Sequence, residues 1–129
     1  MIVVDSSVWI SFFAGFETAE TRRLPEMASH DPILVGDIVL LEVLRGTRSD
    51  REFRRIEDQL RQFEVRSMIN PDLAVAAARY YKRLRSEGVT VRNAADLIIG
   101  TYCIEYGYAL LQRDRDYAPM QQYLGLRLA

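Results

Sequence analysis

Five acids stand out in this 129-residue chain by the company they keep. Asp5 ends the apolar run Ile2–Val4 in "MIVVDSSVWI". Glu42 sits inside "DIVLLEVLRG", and Asp96 leads into Leu97, Ile98 and Ile99 in "RNAADLIIG". Asp114 and Asp116 follow "YALL" in "YALLQRDRDY". An ionised carboxylate beside an apolar run is costly unless a cation, a metal or hydrogen-bond donors compensate it. Each acid also has a structural explanation. Asp5 could cap a helix, as could Ser6 or Ser7. Glu42 could pair with Arg45 at i+3. Asp96 suits the first turn of a helix that starts after Asn93. Asp114 and Asp116 alternate with Arg113 and Arg115, as a solvated loop would.

The elements around the acids decide what they can do together. Residues 1–4, 33–35 and 108–111 read as short buried strands, with 126–128 as a last one, and helical patterns lie between them. That alternation implies an α/β fold with a mostly parallel central sheet. In such sheets, sites form outside the carboxyl ends of the strands. Asp5 and Asp114 each follow such an end. A helix starting at the same edge would bring Asp96 there, and Glu42 would add a fourth carboxylate from its own helix. Carboxylates sharing a pocket repel each other unless a cation or protons neutralise them. The chain offers one lysine, Lys82 in mid-helix, and one histidine, His30 at a helix end. An oxygen-only ligand set without a Cys/His cluster favours Mg²⁺ or Mn²⁺ over zinc.

Finer expectations accompany this frame. Pro25 should break or delay the helix over 18–30. Asp37 can cap the helix carrying Glu42, which is apolar all round and therefore expected to be buried. Ser49 and Glu52 form an S-x-x-E capping box. Trp9, Phe12, Phe13 and Phe16 fall on one helical face, as core packing or as a groove for a partner. Cys103, the only cysteine, lies in an apolar helical run and reads as a buried thiol. The length suits one domain over residues 1–129, and a net charge of −1 leaves any nucleic-acid contact to local patches. No signal peptide or membrane span is indicated, so a cytoplasmic protein without membrane association is expected.

Asp5 in "VVDSSVWI", Glu42 in "LLEVLRG", Asp96 in "NAADLIIG" and Asp114 in "LQRDRDY" together resemble the PIN-domain nucleases, above all the VapC-type toxins of toxin–antitoxin pairs. The resemblance spans the chain. It implies an α/β/α sandwich, a divalent metal at the four acids, hydrolysis of RNA, a homodimer and inhibition by a bound antitoxin. It also implies that Asp116 serves a second metal or a metal-bound water, and that Ser7 lies close to the site. Many members carry Thr or Ser two residues before the last acid, where this chain has Gln112. A metal would supply a water nucleophile without a histidine, and in-line attack would leave 5′-phosphate and 3′-hydroxyl ends. Attack by the 2′-hydroxyl usually needs an acid–base pair that one histidine cannot provide. Arg45, Arg92, Arg113 and Arg115 are the candidate RNA contacts. Sixteen of the seventeen basic residues are arginines, which suit bidentate phosphate binding. The alternatives are a PIN-fold interaction module without activity and a nuclease acting on DNA.

Overall fold

The computed structural model describes residues 1–129. Five strands form a parallel sheet: β1 (Ile2–Val4), β2 (Ile33–Gly36), β3 (Glu64–Arg66), β4 (Ala109–Leu111) and β5 (Arg127–Leu128), in the order β3-β2-β1-β4-β5. β1 and β2 are buried throughout and apolar on both sides, as strands covered on both faces must be. From β1 the chain steps outward to β2 and β3. It then crosses back to build β4 and β5 on the other side of β1.

Right-handed crossovers place the helices of these two halves on opposite faces. One face carries α1 (Ser6–Phe13), α2 (Ala19–His30), α3 (Asp37–Leu44) and α4 (Asp50–Leu60). The other carries α5 (Pro71–Ser86), α6 (Ala94–Tyr106) and α7 (Ala118–Leu124). The packing agrees: α1 touches α2 and α3, α3 touches α4, and α5 touches α6 and α7. This is the expected three-layer α/β/α sandwich. Its topology reverses between β1 and β4, so a crevice opens at their carboxyl ends.

Local chemistry sets the ends of the helices on this second face. Asn93 caps α6 by accepting from the Ala95 amide at 2.9 Å, and Gly107, at φ 70°, ends it in the left-handed conformation that favours glycine. Asn70 caps α5, with Pro71 in its first turn.

Five expectations need correction. The helix over 19–30 is continuous through Pro25. A reciprocal capping box between Thr18 and Thr21 fixes its first turn, buried Leu24 anchors it to the core, and Pro25 stays on the exposed side. The residue flanking α3 is Gly36; Asp37 is the first helical residue, and its Oδ1 accepts from the amides of Ile38 (2.8 Å) and Met68 (3.0 Å). α3 is not buried all round, since Leu41 is 59% exposed. Ser49 accepts from the Glu52 amide at 3.1 Å, which is half of a capping box. Finally, α1 stops at Phe13 and Gly15 turns the chain at φ 78°, so Phe16 lies beyond the helix expected to carry it. The edge strand β3 adds to the expected set: "EVR" is too polar to signal a strand.

Candidate metal centre

The β1/β4 crevice gathers the acids. Asp5 leaves β1 beside the end of β4, its amide donating to the Leu111 carbonyl at 2.9 Å. It caps α1 and shares the Tyr117 hydroxyl with Asp96, so the cap leaves room for a functional role. Its carboxylate is 2% exposed and accepts three hydrogen bonds. Oδ2 takes the Ser7 amide (3.1 Å) and the Ser7 hydroxyl (2.6 Å), and Oδ1 takes the Tyr117 hydroxyl (2.8 Å). The Ser7 hydroxyl in turn accepts from the Arg113 amide at 3.3 Å, which ties the loop after β4 to α1.

Asp96 lies in the first turn of α6 and is 6% exposed. Its Oδ1 is 3.2 Å from the same Tyr117 hydroxyl, while its Oδ2 is buried with no hydrogen-bond partner. Burial raises its pKa first. The charges of Asp5, Asp114 and Glu42 add to this, and the Tyr117 hydroxyl opposes it. The carboxyl is pushed up to about 7.

Asp114 caps the 3-10 turn Arg115–Tyr117 through the Asp116 amide (2.9 Å) and is itself positioned by Gln112, whose Oε1 accepts the Asp114 amide at 2.5 Å. Gln112 therefore orients the backbone of the last acid. One oxygen each of Asp96, Asp114 and Asp116 lie within 4.8 Å of one another. Glu42, from α3, accepts the Ser6 hydroxyl at 2.9 Å on Oε1 and faces Arg45 at 3.8 Å on Oε2, so the ion-pair reading of Glu42 also holds. That arginine is the only basic side chain paired with any of the five acids.

An orphaned carboxylate oxygen within an all-oxygen cluster fits a hard divalent cation. Asp37, on the same edge, is not part of this group; its Oδ1 accepts from the Ile38 and Met68 amides.

The PIN domain family model matches residues 2–121. The chain belongs to the PIN domain family. Ribonuclease VapC11 of Mycobacterium tuberculosis is 29% identical over 136 aligned positions, covering 100% of this chain and 98% of the relative. Among solved structures, VapBC2 from Rickettsia felis bound to a promoter DNA fragment matches with a TM-score of 0.80 at 16% identity, over 100% of this chain and 98% of the other. VapC20 of M. tuberculosis, a sarcin–ricin loop cleaving toxin, matches with a TM-score of 0.66 at 18% identity, over 92% and 93%. At such identities these structures report on the PIN fold.

The remaining predicted residues are dispersed. Arg92 and Arg115 are exposed and line a cleft of about 380 Å³ with Val91, Asp116 and Pro119. Arg113 is exposed above Ser7, and Arg45 ends α3. Trp9 is buried against Phe13 and Phe63, whereas Phe12 and Phe16 are 38% and 68% exposed. Cys103 is fully buried, which pushes its thiol up to about 12 and removes it as a nucleophile. His30 ends α2, exposed. Sequence reasoning missed Ser6 and Tyr117 as members of the site. No helix is long and apolar enough to cross a membrane.

Proposed function

We propose that this chain is a divalent-metal-dependent endoribonuclease, the toxin of a toxin–antitoxin pair, acting as one nuclease unit over residues 1–129 in the cytoplasm. The observation that carries this reading is the grouping of Asp96, Asp114 and Asp116, one oxygen of each within 4.8 Å of the others, at the crevice of a PIN-family sheet. Asp5 joins Asp96 through the Tyr117 hydroxyl, and the charge of Glu42 acts on Asp96. Asp96 Oδ2 is buried with no hydrogen-bond partner. The names of the relatives support RNA as the substrate, and the VapBC complexes among the fold neighbours support an antitoxin as the partner.

Asp5, Glu42, Asp96 and Asp114 would hold Mg²⁺ or Mn²⁺, with Asp116 adding an exposed carboxylate beside Asp96 and Asp114. A bound divalent ion polarises the scissile phosphate and lowers the pKa of an attacking water. The chain's own residues do the rest. Ser7 holds Asp5, Ser6 holds Glu42, and Gln112 holds the backbone of Asp114. Arg92 and Arg115, free of acidic partners, offer guanidinium groups to the RNA backbone beside Asp116, and the apolar wall of Val91 and Pro119 suits a ribose or base face. Arg45 and Arg113 extend the basic margin. Hydrolysis by water leaves a 5′-phosphate and a 3′-hydroxyl. Phe12 and Phe16, with exposed Ile10 and Leu41, offer an apolar face for the antitoxin or the second subunit of a homodimer.

The test is to incubate the purified protein with structured RNA and with single-stranded DNA, with and without EDTA, and to identify the ends. RNA cleavage that needs Mg²⁺ or Mn²⁺ and yields 5′-phosphates is expected. Cleavage that survives EDTA, or 2′,3′-cyclic phosphate ends, would overturn the mechanism. Preference for DNA would overturn the substrate.

A further inference from the structure

We infer that Tyr117 is a positioning residue of the metal centre, a neutral brace that sets Asp5 against Asp96. The inference rests on the reading of these acids as ligands and extends it to a side chain outside the acid set.

The hydroxyl of Tyr117 contacts two of the acids at once, 2.8 Å from Asp5 Oδ1 and 3.2 Å from Asp96 Oδ1. Those acids belong to the ends of different elements, β1 and α6, and no backbone hydrogen bond links the two residues. Tyr117 is fully buried. Its position follows from local geometry. Asp114 caps a single 3-10 turn, and the Tyr117 amide closes that turn on the Asp114 carbonyl at 3.4 Å. One short turn thus presents Asp114 and Asp116 outward and drives the tyrosine inward beneath Asp5 and Asp96. Its ring packs near Gly100, where an added Cβ would meet the ring at ordinary contact distance but collide with the Met120 thioether of α7.

Ligand-orienting hydrogen bonds fix which carboxylate oxygens remain available and how far apart they stand. With Oδ1 of both acids on the hydroxyl and Asp5 Oδ2 on Ser7, the free oxygen of Asp96 is Oδ2. Phenylalanine could fill the same volume but could not make this tie. The tyrosine of "DRDY" therefore has a role that packing does not explain.

The experiment compares wild type and Tyr117→Phe by calorimetric titration with Mn²⁺, without RNA, well below both melting points. The substitution removes one oxygen and keeps the ring. The inference expects Mn²⁺ binding about 10- to 100-fold weaker, with the far-ultraviolet dichroism of the folded protein retained. A residue that only packs would leave the Mn²⁺ affinity unchanged whatever the melting temperature does, and that result would overturn the inference while leaving the metal centre intact. If wild type itself binds no Mn²⁺, the metal reading falls and the brace with it. Should Tyr117→Phe not fold, proton NMR of the wild type gives the second reading. The buried hydroxyl proton should appear as a slowly exchanging resonance that moves on adding Mg²⁺, and a resonance unmoved at saturation would overturn the inference.

Discussion

Ser6 donates its hydroxyl to Glu42 Oε1 at 2.9 Å, joining the first turn of α1 to α3. The same carboxylate faces Arg45 at 3.8 Å, and that arginine side chain is 68% exposed. The hydrogen bond is short and lies beside Asp5, whereas the ion pair is long and solvated, so the serine is expected to set the carboxylate's position. Ser6→Ala should weaken Mn²⁺ binding by about 10-fold. Arg45→Ala should change it roughly two-fold or less, as befits an exposed pair worth about 0–1 kcal/mol. Calorimetric titration of both variants decides; equal losses would mean that the ion pair holds Glu42.

The acids themselves should separate into two grades. Asp5→Asn, Glu42→Gln and Asp114→Asn should each abolish RNA cleavage while the protein remains folded by circular dichroism. Asp116 is the exposed member of the cluster it forms with Asp96 and Asp114. Asp116→Asn should lower turnover and leave it measurable. Initial rates at saturating Mn²⁺ test this, and an inactive Asp116→Asn would make it an equal member of the site.

The acids are legible in the sequence because a carboxylate abutting an apolar run is a local anomaly, visible without knowing its neighbours. The strands β1, β2 and β4 are legible for the same reason: three or four apolar residues in a row, rich in branched side chains, suit a strand covered on both faces. β3 is not, because an edge strand needs only backbone pairing, and Glu64 and Arg66 carry no such signal. Ser6 and Tyr117 escape notice for a different reason. A serine beside another serine, or a tyrosine after a charged loop, has no anomaly of its own. Each becomes significant only when the fold brings a residue 36 or 112 positions away within hydrogen-bond reach. Phe16 looks helical because periodicity carries no stop signal until Gly15 turns the chain.

The aromatic stripe divides along burial. Trp9 is 2% exposed and packs on Phe13 and Phe63, so Trp9→Ala should destabilise the fold by about 3–5 kcal/mol. Phe16→Ala should leave the melting temperature within error, since Phe16 is 68% exposed, and should weaken capture of the cognate antitoxin or self-association. Thermal melts with a pull-down and sedimentation distinguish the two. Unchanged assembly in Phe16→Ala would remove it from any interface.

Asp96 links the site to stability. Its carboxyl is raised from the usual 3.8 to about 7 by burial and by the neighbouring charges of Asp5, Asp114 and Glu42. Between about pH 4 and pH 7 the folded protein therefore holds a proton that the unfolded chain has released. Without metal, stability should increase as the pH falls through 7 towards 4 and decrease as the pH rises, with the loss complete above 7. Every tenfold difference in proton affinity between the folded and unfolded chain corresponds to about 1.4 kcal/mol. Asp96→Asn is neutral at every pH. In EDTA at pH 8 it should melt above wild type, and at pH 5 the gap should narrow because the folded wild-type carboxyl is then mostly protonated, closing only below about pH 4 where the unfolded chain is protonated too. Mn²⁺ should narrow the gap at pH 8. Binding to the folded state at about 100 times Kd adds about 2.7 kcal/mol, and Asp96→Asn should gain much less. The stabilisation by Mn²⁺ should also shrink below pH 7, where the proton competes with the cation. Melts of both proteins at pH 5 and pH 8, in EDTA and in Mn²⁺, contain all four comparisons. If Asp96→Asn melts below wild type in EDTA at pH 8 and Mn²⁺ shifts neither protein, the carboxylates do not strain one another, and Asp96 is only the first-turn acid of α6.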